Sequence, residues 1–233
     1  MKLNNLKTEF LYGIGDTHSS LKSIFLWNQQ NENSIAIHVG DSCYEHVEIA
    51  KFARRFKKKN NKLFLVRGNH EIDFDDFYNE LTIEDSVFYL NDYSELEINS
   101  LNYLLIGGGI SLDREERKEF KLRYPKKNSY YREDEALKFR DVSNVKADVL
   151  VTHVCPRRYV PFLNSAFLEQ FLEKDKSLLD DLNKEEEDIC RIVDNLKNMK
   201  AHVWGHHHSH ISSEEHGVKI IGLAIDEIKQ LTF

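Results

Sequence analysis

Lys62-Leu63-Phe64-Leu65-Val66-Arg67-Gly68-Asn69-His70-Glu71 is the stretch on which the reading of the fold turns. Its first half is apolar and follows Asn60-Asn61, so it reads as a buried strand. Gly68 lets the chain turn sharply as it leaves that strand. The turn presents an amide oxygen and an imidazole side by side at a strand's carboxyl end. Taken alone, such a tetrapeptide is no more than a tight turn with two polar residues. Its weight comes from four other segments that place metal-ligating residue types just after a strand.

Toward the N-terminus, Phe10-Leu11-Tyr12-Gly13-Ile14 reads as a strand stopped by Gly15-Asp16-Thr17-His18. Leu21, Ile24, Phe25 and Trp27 then recur at helical spacing, with Ser19 or Ser20 as the expected cap. Ile35-Ala36-Ile37-His38-Val39 is a second strand, stopped by Gly40-Asp41. The helix after it carries Ile49, Ala50, Phe52, Ala53 and Phe56 on one face. Its other face is basic, from Lys51 to Lys59, and reads as solvated. Strand, glycine turn, helix and strand in this order predict an α/β protein with parallel or mixed pairing.

Toward the C-terminus, Val87–Leu90, Glu95–Ile98 and Asn102–Ile106 read as strands, the last running into Gly107-Gly108-Gly109. That triplet either admits a phosphate or permits close backbone packing. Residues 111–144 change to dense charge and aromatics, including Tyr124-Pro125 and Tyr130-Tyr131. They are expected to form a charged surface excursion that overhangs the site, too short for a core of its own. Ala147–Val151 is a further strand, stopped by Thr152-His153, and Pro156 and Pro161 impose an irregular loop. Phe167–Met199 is helical in pattern, with Asn183 and Glu186 in the spacing of a capping box. Ala201–Trp204 is a strand stopped by Gly205-His206-His207-His208, and Val218–Ala224 with Ile228–Phe233 suggests a closing hairpin.

The 233 residues, 41% hydrophobic and 30% charged, suffice for a substantial core, and a single domain over 1–233 is expected. A net charge of −7 gives no basic field for nucleic acid or an anionic membrane. Three scattered cysteines without a Cys-x-x-Cys suit a reducing cytosol. Lys2 and Lys7 are not followed by an apolar run of signal-peptide length, and no run reaches a membrane span, so a cytoplasmic location is expected. Oligomeric state is not legible.

The strand ends together supply Asp16 and His18, Asp41, Asn69 and His70, His153, and His206 and His208. Crevices at strand carboxyl ends are where open α/β sheets bind ligands. Oxygen and imidazole donors without thiolate suit Mn, Fe, Zn, Co or Ni. Cys43 and Cys155 neighbour this set but read as packing residues. His202, His207 and His210 fall outside the pattern.

Asp-x-His, Gly-Asp, Gly-Asn-His-Glu, a lone His and Gly-His-x-His, in that order from Gly15 to His208, resemble the calcineurin-like metallophosphoesterases. The resemblance implies two mixed β-sheets packed as a sandwich and flanked by helices. It implies two divalent cations, manganese foremost. Asp16, His18, Asp41 and His208 would hold one, and Asp41, Asn69, His153 and His206 the other, with Asp41 bridging. Such a pair lowers the pKa of a shared water and clamps phosphoryl oxygens. It leaves His70 as the general acid that protonates the leaving oxygen. Arg114 and Arg157 are candidate contacts to the phosphate of the substrate ester, because Arg forks suit phosphate.

The sequence departs from the family at Tyr44, where Gly-Asp-x-x-Asp is usual and the last Asp orients the catalytic His. Glu45 is then the substitute, or His70 lacks that partner. The Asp-Arg-Gly of serine/threonine protein phosphatases is absent too. Gly107–Arg114, Ser129–Glu135 and Thr152–Pro156 resemble a phage and bacterial subgroup instead. A dimetal phosphomonoesterase is the leading expectation. A phosphodiesterase or nuclease on the same site, and a non-catalytic scaffold like the metallophosphoesterase-like subunit of retromer, are the alternatives.

Overall fold

The computed structural model describes residues 1–71, 74–123, 135–160 and 165–233. Tyr124-Pro125, Tyr130-Tyr131, the 129–134 part of the subgroup resemblance and Pro161 lie outside them.

Two mixed sheets form the centre. The first joins β2 (Phe10–Ile14), β3 (Ser34–His38), β4 (Lys62–Leu65) and β6 (Val87–Tyr89) in parallel, with β5 (Thr82–Ile83) and β13 (Ile228–Gln230) antiparallel at its edges. The second has the order β1 (Lys2–Leu6), β7 (Ser94–Ile98), β8 (Leu101–Ile106), β9 (Val149–Thr152), β10 (Ala201–Trp204), β12 (Val218–Gly222), β11 (Ile211–Glu215). Within it β8, β9, β10 and β12 run parallel.

Alternation along the strands makes the layers. Ile35, Ile37 and Val39 face Leu105, Val151 and Val203 in the core between the sheets. Ala36, Leu63 and Leu65 point the other way, onto Ile24 and Trp27 of α1 (Lys22–Gln30) and Ile49, Ala53 and Phe56 of α2 (His46–Lys58). Leu104, Ile106 and Leu150 pack outward on Ile189, Ile192 and Val193 of α6 (Leu178–Asn195). Helix, sheet, sheet, helix is the expected sandwich.

Register then positions the site. Ile14 pairs with His38 and His38 with Leu65, while Thr152 pairs with Trp204. The strands of each sheet therefore end level, and the loops bearing the candidate ligands leave from one crest.

Several local expectations are corrected. Val218–Ala224 and Ile228–Phe233 do not form a hairpin: β12 pairs with β11 and β10, whereas β13 crosses to the other sheet and pairs with β2. Ser19 and Ser20 do not cap α1; Leu21 occupies that place without a side-chain bond, and the Ser19 hydroxyl donates to the Cys43 carbonyl. Asn183 and Glu186 lie inside α6, where both accept hydrogen bonds from Arg157. The helical stretch is two helices, α5 (Ser165–Lys174) and α6, broken at residues 175–177. The start of the 111–144 segment forms α4 (Arg114–Arg123), and the segment is not wholly superficial, since Arg117, Glu135, Leu137 and Val142 are buried. The basic face of α2 is solvated as expected, with Arg54 and Lys57 paired to Glu84.

Candidate metal centre

Two clusters of metal-ligand atoms form at the crest. Asp16, His18 and His208 make one; Asp41, His153 and His206 make the other. In the first, His18 Nε2 lies 3.0 Å from His208 Nε2, which is 3.2 Å from an Asp16 carboxylate oxygen. In the second, Asn69 Oδ1 is 2.7 Å from His153 Nε2 and 3.0 Å from His206 Nδ1, and the two nitrogens are 3.2 Å apart. Asp41 Oδ1 is 3.5 Å from His153 Nε2. All seven expected ligand residues thus converge, and Asp41 groups with the second cluster.

The donor set can be tested for fit to a cation. His153 Nδ1 is 2.9 Å from the Val39 carbonyl, which only accepts, so in the neutral ring the proton sits on Nδ1 and Nε2 presents a lone pair. The Asn69 amide nitrogen donates to Ser111 Oγ at 2.5 Å, so its oxygen faces that lone pair. Acceptors therefore face acceptors in a buried place, and one proton on a ring satisfies only part of the triangle. Metal–ligand bonds of about 2.0–2.2 Å place neighbouring ligand atoms roughly 3 Å apart, the spacing found here. The residues fit divalent cations.

Without a cation, the nearby carboxylates hold a proton in its place. Burial opposes a charged imidazole at His153, but Asp41, and Asp16 further off, outweigh it and lift the group to about 9. At His206 burial wins, reinforced by His153, and the ring stays neutral far below its usual range. Burial works against ionising Asp41 too, yet His153 and His70 hold its carboxyl well below the normal carboxylate range.

Close backbone approach builds this crest. A Cβ on Gly68 would fall 2.1 Å from Asp41 Oδ1, and one on Gly40, whose φ is +110°, 2.3 Å from His153 Nδ1. His18, Asp41, His206 and His208 all adopt left-handed backbone, a strain that concentrates at functional sites. The Asp41 carbonyl accepts from Thr17 and His18, tying the Asp-x-His loop to the Gly-Asp loop.

Four supporting side chains escaped the sequence reading. Glu71 is fully enclosed and accepts from the Ser42 amide and hydroxyl and the Cys43 and Gly68 amides, which locks the loops after β3 and β4 together. Ser111 holds Asn69, and Glu135 holds Ser111 through its amide at 2.9 Å. Arg117 spans the group, donating to Glu135 at 2.9 Å and to the Asn69 carbonyl at 3.3 Å. Ser111 carried a legible signal, being one more polar residue after a strand; Glu135 lay among too many charges to single out. Ser111→Ala should weaken one cation site by about 10–100-fold, the usual effect of removing a residue that fixes a ligand, and leave the other unchanged. Calorimetric titration with Mn²⁺ reads this, and two unaltered sites would refute the role.

His70 is partly buried, its ring 5.6 Å from that of His18, and its amide donates to Asp41 at 2.7 Å. Burial depresses its pKa, and the charges that bear most on it are Asp41, Arg117 and Asp113. Tyr44 is buried with its hydroxyl 2.7 Å from Thr17 Oγ1, which in turn lies 3.0 Å from His38 Nε2. Glu45 is exposed at the start of α2. Arg157 lines the cavity beside the clusters. Arg114 does not: its guanidinium is bound to Asp175 and Asp181, so its fork is spent on carboxylates. Cys43 and Cys155 are buried free thiols, as expected of packing residues. The glycine triplet offers no phosphate cradle, because its three amides donate to Asp92, the Arg67 carbonyl and the Glu135 carbonyl.

Glu185 of α6 reaches under the same loops, accepting from the Ile110 and Leu137 amides at 3.2 and 2.9 Å. Burial, offset in part by those amides, pushes its carboxyl from 4.5 up to about 7. Because folding raises this pKa, the stability it contributes is whole below about pH 4.5 and is lost as pH rises through about 7. The stability of the parent relative to Glu185→Gln should therefore fall across that window, by up to about 1.4 kcal/mol per pH unit. Urea melts of both proteins in EDTA measure it, and a flat difference would show ordinary ionisation.

Stacked sheets whose level strand ends gather Asp, Asn and His into two cation-sized clusters define an α/β sandwich with a candidate metal-binding crest. A family model for the calcineurin-like phosphoesterases matches residues 11–210, and the chain belongs to that family. A search of the curated proteins gives no match. Among solved structures, a putative 5′-nucleotidase from Staphylococcus aureus is similar at 13% identity and a TM-score of 0.46, over 94% of this chain and 49% of that one. This chain therefore spans about half of the staphylococcal protein. The phosphopantetheinyl hydrolase of Mycobacterium tuberculosis is similar at 12% identity and a TM-score of 0.43, over 95% of each chain. Among the described residues, no helix is long and apolar enough to cross a membrane.

Proposed function

We propose that the chain is a two-cation phosphomonoesterase. Asp16, His18, Asp41 and His208 hold one cation, and Asp41, Asn69, His153 and His206 the other, with Asp41 shared. The observation that carries this reading is the buried triangle of acceptors at Asn69, His153 and His206, set beside the second cluster at Asp16, His18 and His208. When bound, two divalent cations activate water and neutralise phosphoryl charge. The chain's own residues do the rest. Asn69 and His153 are fixed in orientation by Ser111 and Val39, so their donor atoms are aimed before any ligand arrives. His70 lines the cavity together with the ligand residues and gives a proton to the leaving oxygen. Arg157 stands at the cavity wall as a contact for the ester.

An oxygen and nitrogen donor set favours Mn, with Fe, Zn, Ni or Co as substitutes, and a cytoplasmic location agrees with three free thiols. Parallel assays on an aryl phosphate and a bis-aryl phosphate, with Mn, Ni and Zn supplied separately, test the proposal. Metal-stimulated hydrolysis with the monoester favoured is expected. A reversed preference would make it a phosphodiesterase, and inert protein carrying its full complement of metal would make it a scaffold.

A further inference from the structure

A cavity of about 670 Å³ opens from the two clusters, far more room than a phosphoryl group needs. Its walls divide by chemistry. Asp41, Asn69, His70, His206 and His208 line one end. Ile110, Val154, Phe171, Leu179, Leu182 and Ile189 contribute an apolar wall. Leu179, Leu182 and Ile189 recur along α6 with the spacing that keeps them on one face, turned toward the cavity.

Charge in the wall narrows the occupant further. The described residues lining the cavity away from the ligand clusters include three carboxylates, Asp113, Glu185 and Glu186, and one cation, Arg157. Arg157 gives one guanidinium N–H to Asn183 at 3.1 Å, and its backbone amide binds the Glu186 carboxylate at 3.0 and 3.1 Å. A second phosphate or a polyanionic leaving group would meet more acidic side chains there than the one guanidinium could offset. A sugar would leave hydroxyls unpaired against leucine and phenylalanine.

We propose that the substrate is the monophosphate ester of an apolar alcohol or phenol, its phosphoryl group at the clusters and its hydrocarbon body along α6. The inference rests on the phosphoesterase reading above. In the reaction the ester P–O bond breaks and the oxygen of water forms the new P–O bond, keeping one of its protons; His70 protonates the leaving oxygen, and the second proton of the water restores His70. The released alcohol is neutral and apolar, which the carboxylates of the wall tolerate.

Two measurements on the Mn-loaded protein test this. Turnover of n-alkyl phosphates from ethyl to octyl should rise in kcat/KM by about fourfold per methylene until the cavity is filled. Glycerol phosphate and 5′-AMP should fall behind the hydrocarbon ester of matched size by roughly tenfold or more. Calorimetric binding of the matching n-alkylphosphonates should show the same dependence on chain length, and it is read whether or not the esters turn over. Leu182→Ser should flatten both slopes. So should Leu179→Ser, which is 43% exposed in the parent and folds without a buried hydroxyl to satisfy. Binding and turnover that ignore chain length, or that favour the sugar esters, would overturn the apolar substrate while leaving the phosphoesterase intact. Chain-length-dependent binding without hydrolysis of any ester would uphold the pocket and sink the catalytic reading instead.

Discussion

Asp41→Asn should strip the protein of metal at both positions and of activity with it. Asp41 is the carboxylate assigned to both cations, and its neighbourhood is built around the charge: His153 lies 3.5 Å from it and the His70 amide 2.7 Å. Asparagine keeps the size and one acceptor oxygen but removes the negative charge that draws two dications together. The loss should exceed the about 10–100-fold typical of residues that merely hold a ligand in place. Elemental analysis of the purified variant, alongside its far-UV spectrum to show that it folds, decides the matter. Two metals per chain in Asp41→Asn would end its role as a bridge.

His70→Ala should reveal its role through the leaving group. An alkoxide needs a proton in the transition state, whereas a nitrophenolate is already stable as an anion. General acids contribute about 10²–10⁴-fold, so the variant should lose that factor on an alkyl phosphate and much less on nitrophenyl phosphate. Equal losses on both would make His70 a binding residue. The partner question sharpens the test. Tyr44 is occupied with Thr17, and Glu45 is exposed, while Asp113 is among the charges that bear most on His70. Glu45→Gln should therefore leave the contrast between the esters intact.

Much of this was legible because the chemistry coincides with the period of the chain. A polar ligand after each apolar run, preceded by glycine in all but β9, located β2, β3, β4, β9 and β10 and the crest they share. What the sequence could not show was pairing across long separations. Ile228–Gln230 alternates like any strand, and nothing in it says that its partner is β2 rather than β12. β1 was missed because Asn4 and Asn5 break its apolar pattern; it is an edge strand held by backbone pairing to β7. The capping-box spacing at Asn183 and Glu186 was a coincidence of composition inside a longer helix. The buttress of Ser111, Glu135 and Arg117 depends on residues brought together only by the fold.

The central claim is that two cations sit side by side on the level strand ends, one in each cluster, with Asp41 between them. Anomalous scattering from crystals of the Mn-loaded protein, recorded at the manganese edge, tests it most directly. The account requires two peaks about 3.5–4 Å apart, one against Asp16, His18 and His208 and the other against Asn69, His153 and His206. A single peak, or a pair that leaves the Asn69, His153 and His206 triangle empty, would contradict it.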